Sequence, residues 1–101
     1  MFEQAIKEQA LATQVYAEVW GERQKQNVKW GTDSILNSTS EAGFRVLGEE
    51  VGEVARAINE RKRDETRKEL VQVAAVAVAM IEALDAGADL VALKNEGTRK
   101  A

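Results

Sequence analysis

Leu70-Val71-Gln72-Val73-Ala74-Ala75-Val76-Ala77-Val78-Ala79-Met80-Ile81 carries one polar side chain, Gln72, in twelve residues. Read as a helix, at about 100° per residue, the run is apolar around nearly its whole circumference and has to be covered on all sides. The helical pattern extends back to about Glu65, with Asp64 as candidate N-cap. It extends forward to Ala86, with Gly87 placed to end it. A chain of 101 residues has little else to lay over such a helix. A second copy of the same chain is therefore expected to complete the cover.

Upstream, Glu60-Arg61-Lys62-Arg63-Asp64-Glu65 is a short charged connection, and before it lies a second helix. This helix is expected to start near Ser38 to Ser40, where Ser38 and Glu41 have capping-box spacing, and to run to about Lys62. Phe44, Leu47, Val51, Val54, Ala55 and Ile58 fall on one stripe of it. Glu50 lies at the edge of that stripe and Glu53 one step further round. Glu49, Glu50 and Glu53 are close neighbours of like charge on this helix, which is unfavourable unless something positive sits there. Gly48 and Gly52 lie one turn apart, each costing about 1 kcal/mol relative to Ala in a helix interior. They are either tolerated weak positions or the mark of a closely packed flank.

A first helix is expected from Phe2 to about Gln26, because Phe2, Ile6, Ala10, Ala12, Val15, Val19 and Trp20 recur at steps of three and four. Gln24-Lys25-Gln26-Asn27 is polar on all sides and predicts fraying. Asn27 to Asp33 reads as a connection. In it Trp30 either covers the edge of the core or offers a flat stacking wall to a ligand. Residues 88–96 predict a brief fourth helix ended by Gly97. The absence of Pro agrees with an all-helical chain. The expected fold is a single all-α domain over 1–101, a four-helix unit assembling into a dimer or tetramer of helical bundles.

Composition removes much chemistry. With no Cys and no His the chain builds neither a thiol nor an imidazole site, so serine-histidine triads and ordinary zinc centres are excluded. What remains is carboxylate and lysine chemistry. A net charge of -3 gives no basic field for polymeric nucleic acid, while a nucleotide remains a fitting substrate. Met1-Phe2-Glu3 lacks the features of a signal peptide. The apolar run ending at Ile81 is far short of the roughly 20 residues a membrane span needs. A cytoplasmic, soluble protein is expected.

Glu69 shares a face of the third helix with Gln72, Val73, Val76 and Met80. Antiparallel packing would therefore bring it opposite Glu50 and Glu53. Carboxylates converging from two helices suit a hard divalent cation with oxygen ligands. The plainer alternative is that these acids form a solvated face of an amphipathic helix, and spacing alone leaves both open.

The run from Leu47 to Ile58, including Glu49-Glu50-Val51-Gly52-Glu53, followed by Lys68-Glu69-Leu70-Val71-Gln72-Val73-Ala74-Ala75, resembles the MazG-like all-α nucleoside triphosphate pyrophosphohydrolases over roughly residues 20–86. The resemblance implies hydrolysis of a (deoxy)nucleoside triphosphate to the monophosphate and pyrophosphate with Mg²⁺, Mn²⁺ being a substitute. It implies a helical dimer or dimer of dimers with a site between helices, serving nucleotide house-cleaning. Carried over, Glu49, Glu50, Glu53 and Glu69 match the acidic metal positions, Glu50 and Glu53 being the candidate catalytic pair. Gln72 stands where the family pattern has Asp, an uncharged and weaker ligand. Lys94 and Asn95 are candidate contacts to phosphate or sugar, beside Trp30. The alternative function is a non-catalytic helical oligomer that binds nucleotide or a partner protein.

Overall fold

The computed structural model describes residues 1–30 and 41–87, the side chains of residues 29, 30, 41 and 42 excepted. These residues form three helices: α1 (Phe2–Trp30), α2 (Glu41–Asn59) and α3 (Arg63–Asp85). The fold is all-helical. The proposed Ser38 cap and the fourth helix at 88–96 lie outside the described residues. Among the described residues no helix is long and apolar enough to cross a membrane.

α3 is the central element and packs against both α2 and α1. Its inner face is made of small residues: Ala75, Val76, Ala79 and Ala83 are buried on it, and Ala57 is buried on α2. Alanines at four-residue steps let neighbouring backbones come close, but they bury little area each. Val76 is the largest fully buried side chain among the described residues, so the core they form is thin.

The turn between α2 and α3 corrects two expectations. α2 ends at Asn59 rather than near Lys62, because Arg61 takes a left-handed conformation (φ 58°). Arg61 N–H donates to Ile58 O at 3.0 Å and Lys62 N–H to Ala57 O at 3.0 Å, the bond pair of a Schellman C-terminus. Lys62 then holds the N-cap position of α3 in extended conformation without a side-chain cap bond. Asp64 is therefore not the cap; with Glu65 it lies in the first turn, where its charge complements the helix dipole. A side chain with a Cβ costs about 1 kcal/mol in the left-handed region. Arg61→Gly is thus expected to raise stability by up to about 1 kcal/mol in denaturant melts. Gly87, at φ 91°, ends α3 as expected.

α1 also departs from its expected limits, continuing through the polar run to Trp30. What sustains it is packing of polar side chains. Arg23 is 3% exposed and Gln26 3% exposed; Arg23 Nε donates to Glu82 Oε1 on α3 at 2.9 Å, and another guanidinium nitrogen bonds Asn27 Oδ1. Gln26 Nε2 donates to the backbone carbonyl of Gln72 at 3.4 Å. Nearer the middle of α1, the two carboxylate oxygens of Glu18 accept bonds from Arg67 at 2.6 and 2.7 Å. The Arg67 guanidinium holds the exposed Glu18 carboxyl below its ordinary value. Whatever stability this pair lends is present above the carboxylate range and is lost as pH falls through it. Arg23→Ala should destabilise the protein by about 2 kcal/mol in thermal or denaturant unfolding, because it leaves a packing hole and strips partners from Asn27 and Glu82.

Helix α2 is turned about its axis relative to the expected orientation. Phe44, Val51 and Ile58, members of its apolar stripe, are 66%, 50% and 58% exposed. The inner side carries buried Gly43 and Ala57 and half-buried Val46, Glu50 and Glu53, beside two members of the stripe, Leu47 and Val54, that are half-buried as well. The acids thus sit on the seam itself rather than beside it. Steric logic accounts for this: the alanine face of α3 accepts small residues closely, whereas a stripe of Phe, Val and Ile would hold the helices apart. Leu70, Ile81 and Leu84 of α3 are likewise 50%, 58% and 44% exposed. A Cβ added at Gly48 or Gly52 would meet nothing within 4 Å, so no close approach among the described residues explains those glycines.

Candidate active site

Glu50 comes from α2, and Glu69 and Gln72 come from α3, one turn apart on that helix. Gln72 joins them. With its amide nitrogen facing inward, the orientation that gives both ends of the amide suitable partners, Nε2 donates to Glu50 Oε2 at 2.7 Å and to Glu69 Oε2 at 3.1 Å. Two carboxylates from different helices are thereby held around one point, and all three side chains are half-buried.

Glu53 lies one turn beyond Glu50 and is also half-buried. Its Oε1 pairs with Arg56 at 3.2 Å. An open cavity of about 250 Å³ at the α2–α3 turn is lined by Glu53, Arg56, Glu60, Lys62, Glu65 and Glu69, with Ala57 at its floor. Glu53 and Glu69 therefore face a common solvent-filled space. Lys62 closes part of its rim through an ion pair with Glu60 at 2.9 Å.

Glu49 is exposed on the outer side of α2. Among the described residues, no three carboxylates come close enough together to hold a metal ion as they stand. Of the four acids singled out, Glu50 and Glu69 meet at Gln72, Glu53 shares the adjoining cavity with Glu69, and Glu49 is exposed on α2. Trp30 closes α1, but its side chain, with Lys94 and Asn95, lies outside the described residues.

The donor set suits a hard cation in its chemistry and spacing. Oxygens held at right angles about 2.1 Å from one Mg²⁺ stand roughly 3 Å apart. The inner atom of the Gln72 amide stands 2.7 and 3.1 Å from its two carboxylate neighbours. Mg²⁺ is commonly held by one or two carboxylates and otherwise by water and phosphate oxygens, so a pair of acids beside an open cavity is sufficient.

Gln26, beside the buried Arg23 of α1, is a neighbour of this site that the hydropathy pattern does not reveal. Gln26 bonds the Gln72 backbone from behind, and its Oε1 is buried without a hydrogen-bond partner among the described groups. The available signal was spacing: Val19, Arg23, Gln26 and Trp30 continue the three-and-four rhythm of α1, but in polar residues that hydropathy does not register.

No curated protein and no solved structure matches the chain. The profile of the MazG nucleotide pyrophosphohydrolase domain does match, over residues 38–94. That span takes in both helices that meet at Gln72. The match covers more than half of the sequence, and its helices bring together acids of the two motifs that first suggested the resemblance, so the chain belongs to the MazG nucleotide pyrophosphohydrolase family.

Proposed function

We propose that the protein hydrolyses a (deoxy)nucleoside triphosphate between its α and β phosphates, giving the monophosphate and pyrophosphate, with Mg²⁺ or Mn²⁺ bound at the α2–α3 seam. Family membership supports nucleotide pyrophosphohydrolysis in general and a divalent metal as its usual cofactor. The observation that carries the assignment to these residues is the meeting of Glu50 and Glu69 at the Gln72 amide. Glu50 and Glu69 would hold the cation, with Glu53 and Glu49 adding negative charge from the cavity wall and the outer rim.

A cation held there would supply charge neutralisation at the phosphates and polarisation of the phosphoryl group. Glu53, facing the cavity beside Glu69, is placed to accept a proton from the attacking water. The water oxygen bonds to phosphorus, the bridging P–O bond between the α and β phosphates breaks, and its electron pair leaves on pyrophosphate or on the monophosphate. Arg56, paired with Glu53, orients that carboxylate. Trp30 as a stacking face, with Lys94 and Asn95 at phosphate or sugar, completes the proposed substrate contacts.

We read the chain as one domain over 1–101, a cytoplasmic homo-dimer or homo-tetramer engaged in nucleotide house-cleaning. The competing reading, a non-catalytic helical oligomer that binds nucleotide or a partner protein, draws on Gln72, which leaves the site one charge short of the family pattern.

The deciding experiment offers the eight common nucleoside triphosphates with Mg²⁺ and measures pyrophosphate and inorganic phosphate separately. Pyrophosphate and monophosphate in equal amounts support the hydrolase, whereas no release from any of the eight sinks it. Metal should also stabilise the fold. A ligand at a hundredfold excess over its Kd adds about 2.7 kcal/mol, which for a domain this size is roughly 10 °C in Tm.

A further inference from the structure

Gln72 stands at a point where its two amide ends have opposite uses. With nitrogen inward, it neutralises the repulsion of Glu50 and Glu69 by donating to both, at 2.7 and 3.1 Å. With oxygen inward, the same position would place the amide oxygen 2.7 and 3.1 Å from one oxygen of each carboxylate, the spacing of neighbouring ligands on one small cation. An aspartate there could do only the second. The backbone at this position is also held from α1, where Gln26 Nε2 bonds the Gln72 carbonyl, so a half-turn of the terminal amide exchanges the two arrangements without moving the helix, at the cost of turning Nε2 outward toward other donors.

We propose that Gln72 is a metal-responsive positioning residue: its amide nitrogen clamps Glu50 of α2 to Glu69 of α3 before the cation arrives, and its amide reverses to present Oε1 when the cation is bound. This rests on the proposed metal site at the α2–α3 seam. The clamp holds two like charges together while the site waits for its ion. Its cost is that ion binding must first break two charge-assisted hydrogen bonds, each stronger than its neutral counterpart. A site so built loads more weakly than one with aspartate, but keeps its carboxylates in place without metal.

The test is made on the full-length, ¹⁵N-labelled protein, following the side-chain NH₂ signal of Gln72, identified by its disappearance in Gln72→Asp. Mg²⁺ is titrated in without nucleotide, and its binding is measured separately by calorimetry. The expected result is a Gln72 NH₂ signal that moves in step with Mg²⁺ occupancy and loses its protection from solvent exchange. Mg²⁺ binding with that signal still and still protected overturns the inference while leaving the metal site standing. No Mg²⁺ binding at all overturns both.

Gln72→Asp supplies an independent arm. It removes the clamp and adds a third charge, so the metal-free variant should melt lower than the parent. It also adds a charged oxygen, so Mg²⁺ should bind about tenfold more tightly. These opposite signs distinguish a clamp from a residue that merely packs, whose loss would lower stability with and without metal alike. A metal-free Gln72→Asp protein as stable as the parent, or one that binds Mg²⁺ less tightly, overturns the inference.

Discussion

Glu50→Gln is expected to lower kcat/KM for pyrophosphate release by about 10³-fold, close to 4 kcal/mol of transition-state stabilisation. The reason is local. Glu50 is the seam carboxylate of α2 that meets Gln72, so its charge is what would link the two helices through the proposed cation. Glu69→Gln should cost about as much, and Glu53→Gln should lower kcat more than it raises KM if its part is to receive a proton. The metal-free fold should survive all three changes, since each removes one of several like charges and Gln at position 50 still offers an amide oxygen to Gln72. A purely structural role predicts the reverse: truncating a paired, half-buried carboxylate would unfold the protein or lower its Tm sharply, with or without metal. Metal-free melting curves alongside steady-state kinetics separate the two cases. Full turnover in Glu50→Gln would mean that the cation, if any, is held elsewhere.

Sequence spacing was informative where one residue type dominates a helix and misleading where packing is shared. The run from Leu70 to Ile81 and the pairing of Glu69 with Gln72 on one face of α3 both emerge as read, because three- and four-residue steps leave no other geometry once the segment is helical. The facing of α2 was misread for a definite reason. Its large apolar residues mark a stripe, and hydropathy assigns any such stripe to the core. In the fold Gly43 and Ala57 are the buried positions of α2, with Val46, Leu47, Glu50, Glu53 and Val54 half-buried, because close approach of two helices depends on small side chains as much as on apolar ones. The end of α1 was misread through the same reliance on hydropathy, since Arg23 and Gln26 are buried by bonding to Glu82, Asn27 and the Gln72 backbone. The α2–α3 turn was beyond pattern reading, because an arginine in the left-handed position carries none of the usual glycine signal.

The apolar residues left outside lead to the second large effect. Phe44, Val51 and Ile58 on α2 and Leu70, Ile81 and Leu84 on α3 are each 44–66% exposed, and the two sets belong to adjacent, packed helices. Ile81→Glu tests whether they meet a second copy. In an isolated protomer the change falls on an exposed side chain and should be worth no more than about 0.5 kcal/mol. In a two-fold dimer the same substitution occurs on both sides of one interface. Each copy then forfeits roughly 2.5 kcal/mol of apolar burial, and the dimer should weaken by about 10³- to 10⁴-fold, before any penalty for a desolvated carboxylate is added. Light scattering or sedimentation at micromolar concentration should therefore find the parent as a dimer or tetramer and Ile81→Glu as a monomer. Phe44→Glu should behave in the same way, since α2 offers its stripe beside that of α3. The Tm of the parent should rise with protein concentration, as mass action requires of an assembly that binds only the folded state, and that of Ile81→Glu should not. A parent that scatters as a monomer, with a Tm indifferent to both concentration and Ile81→Glu, would show that these stripes face water in solution.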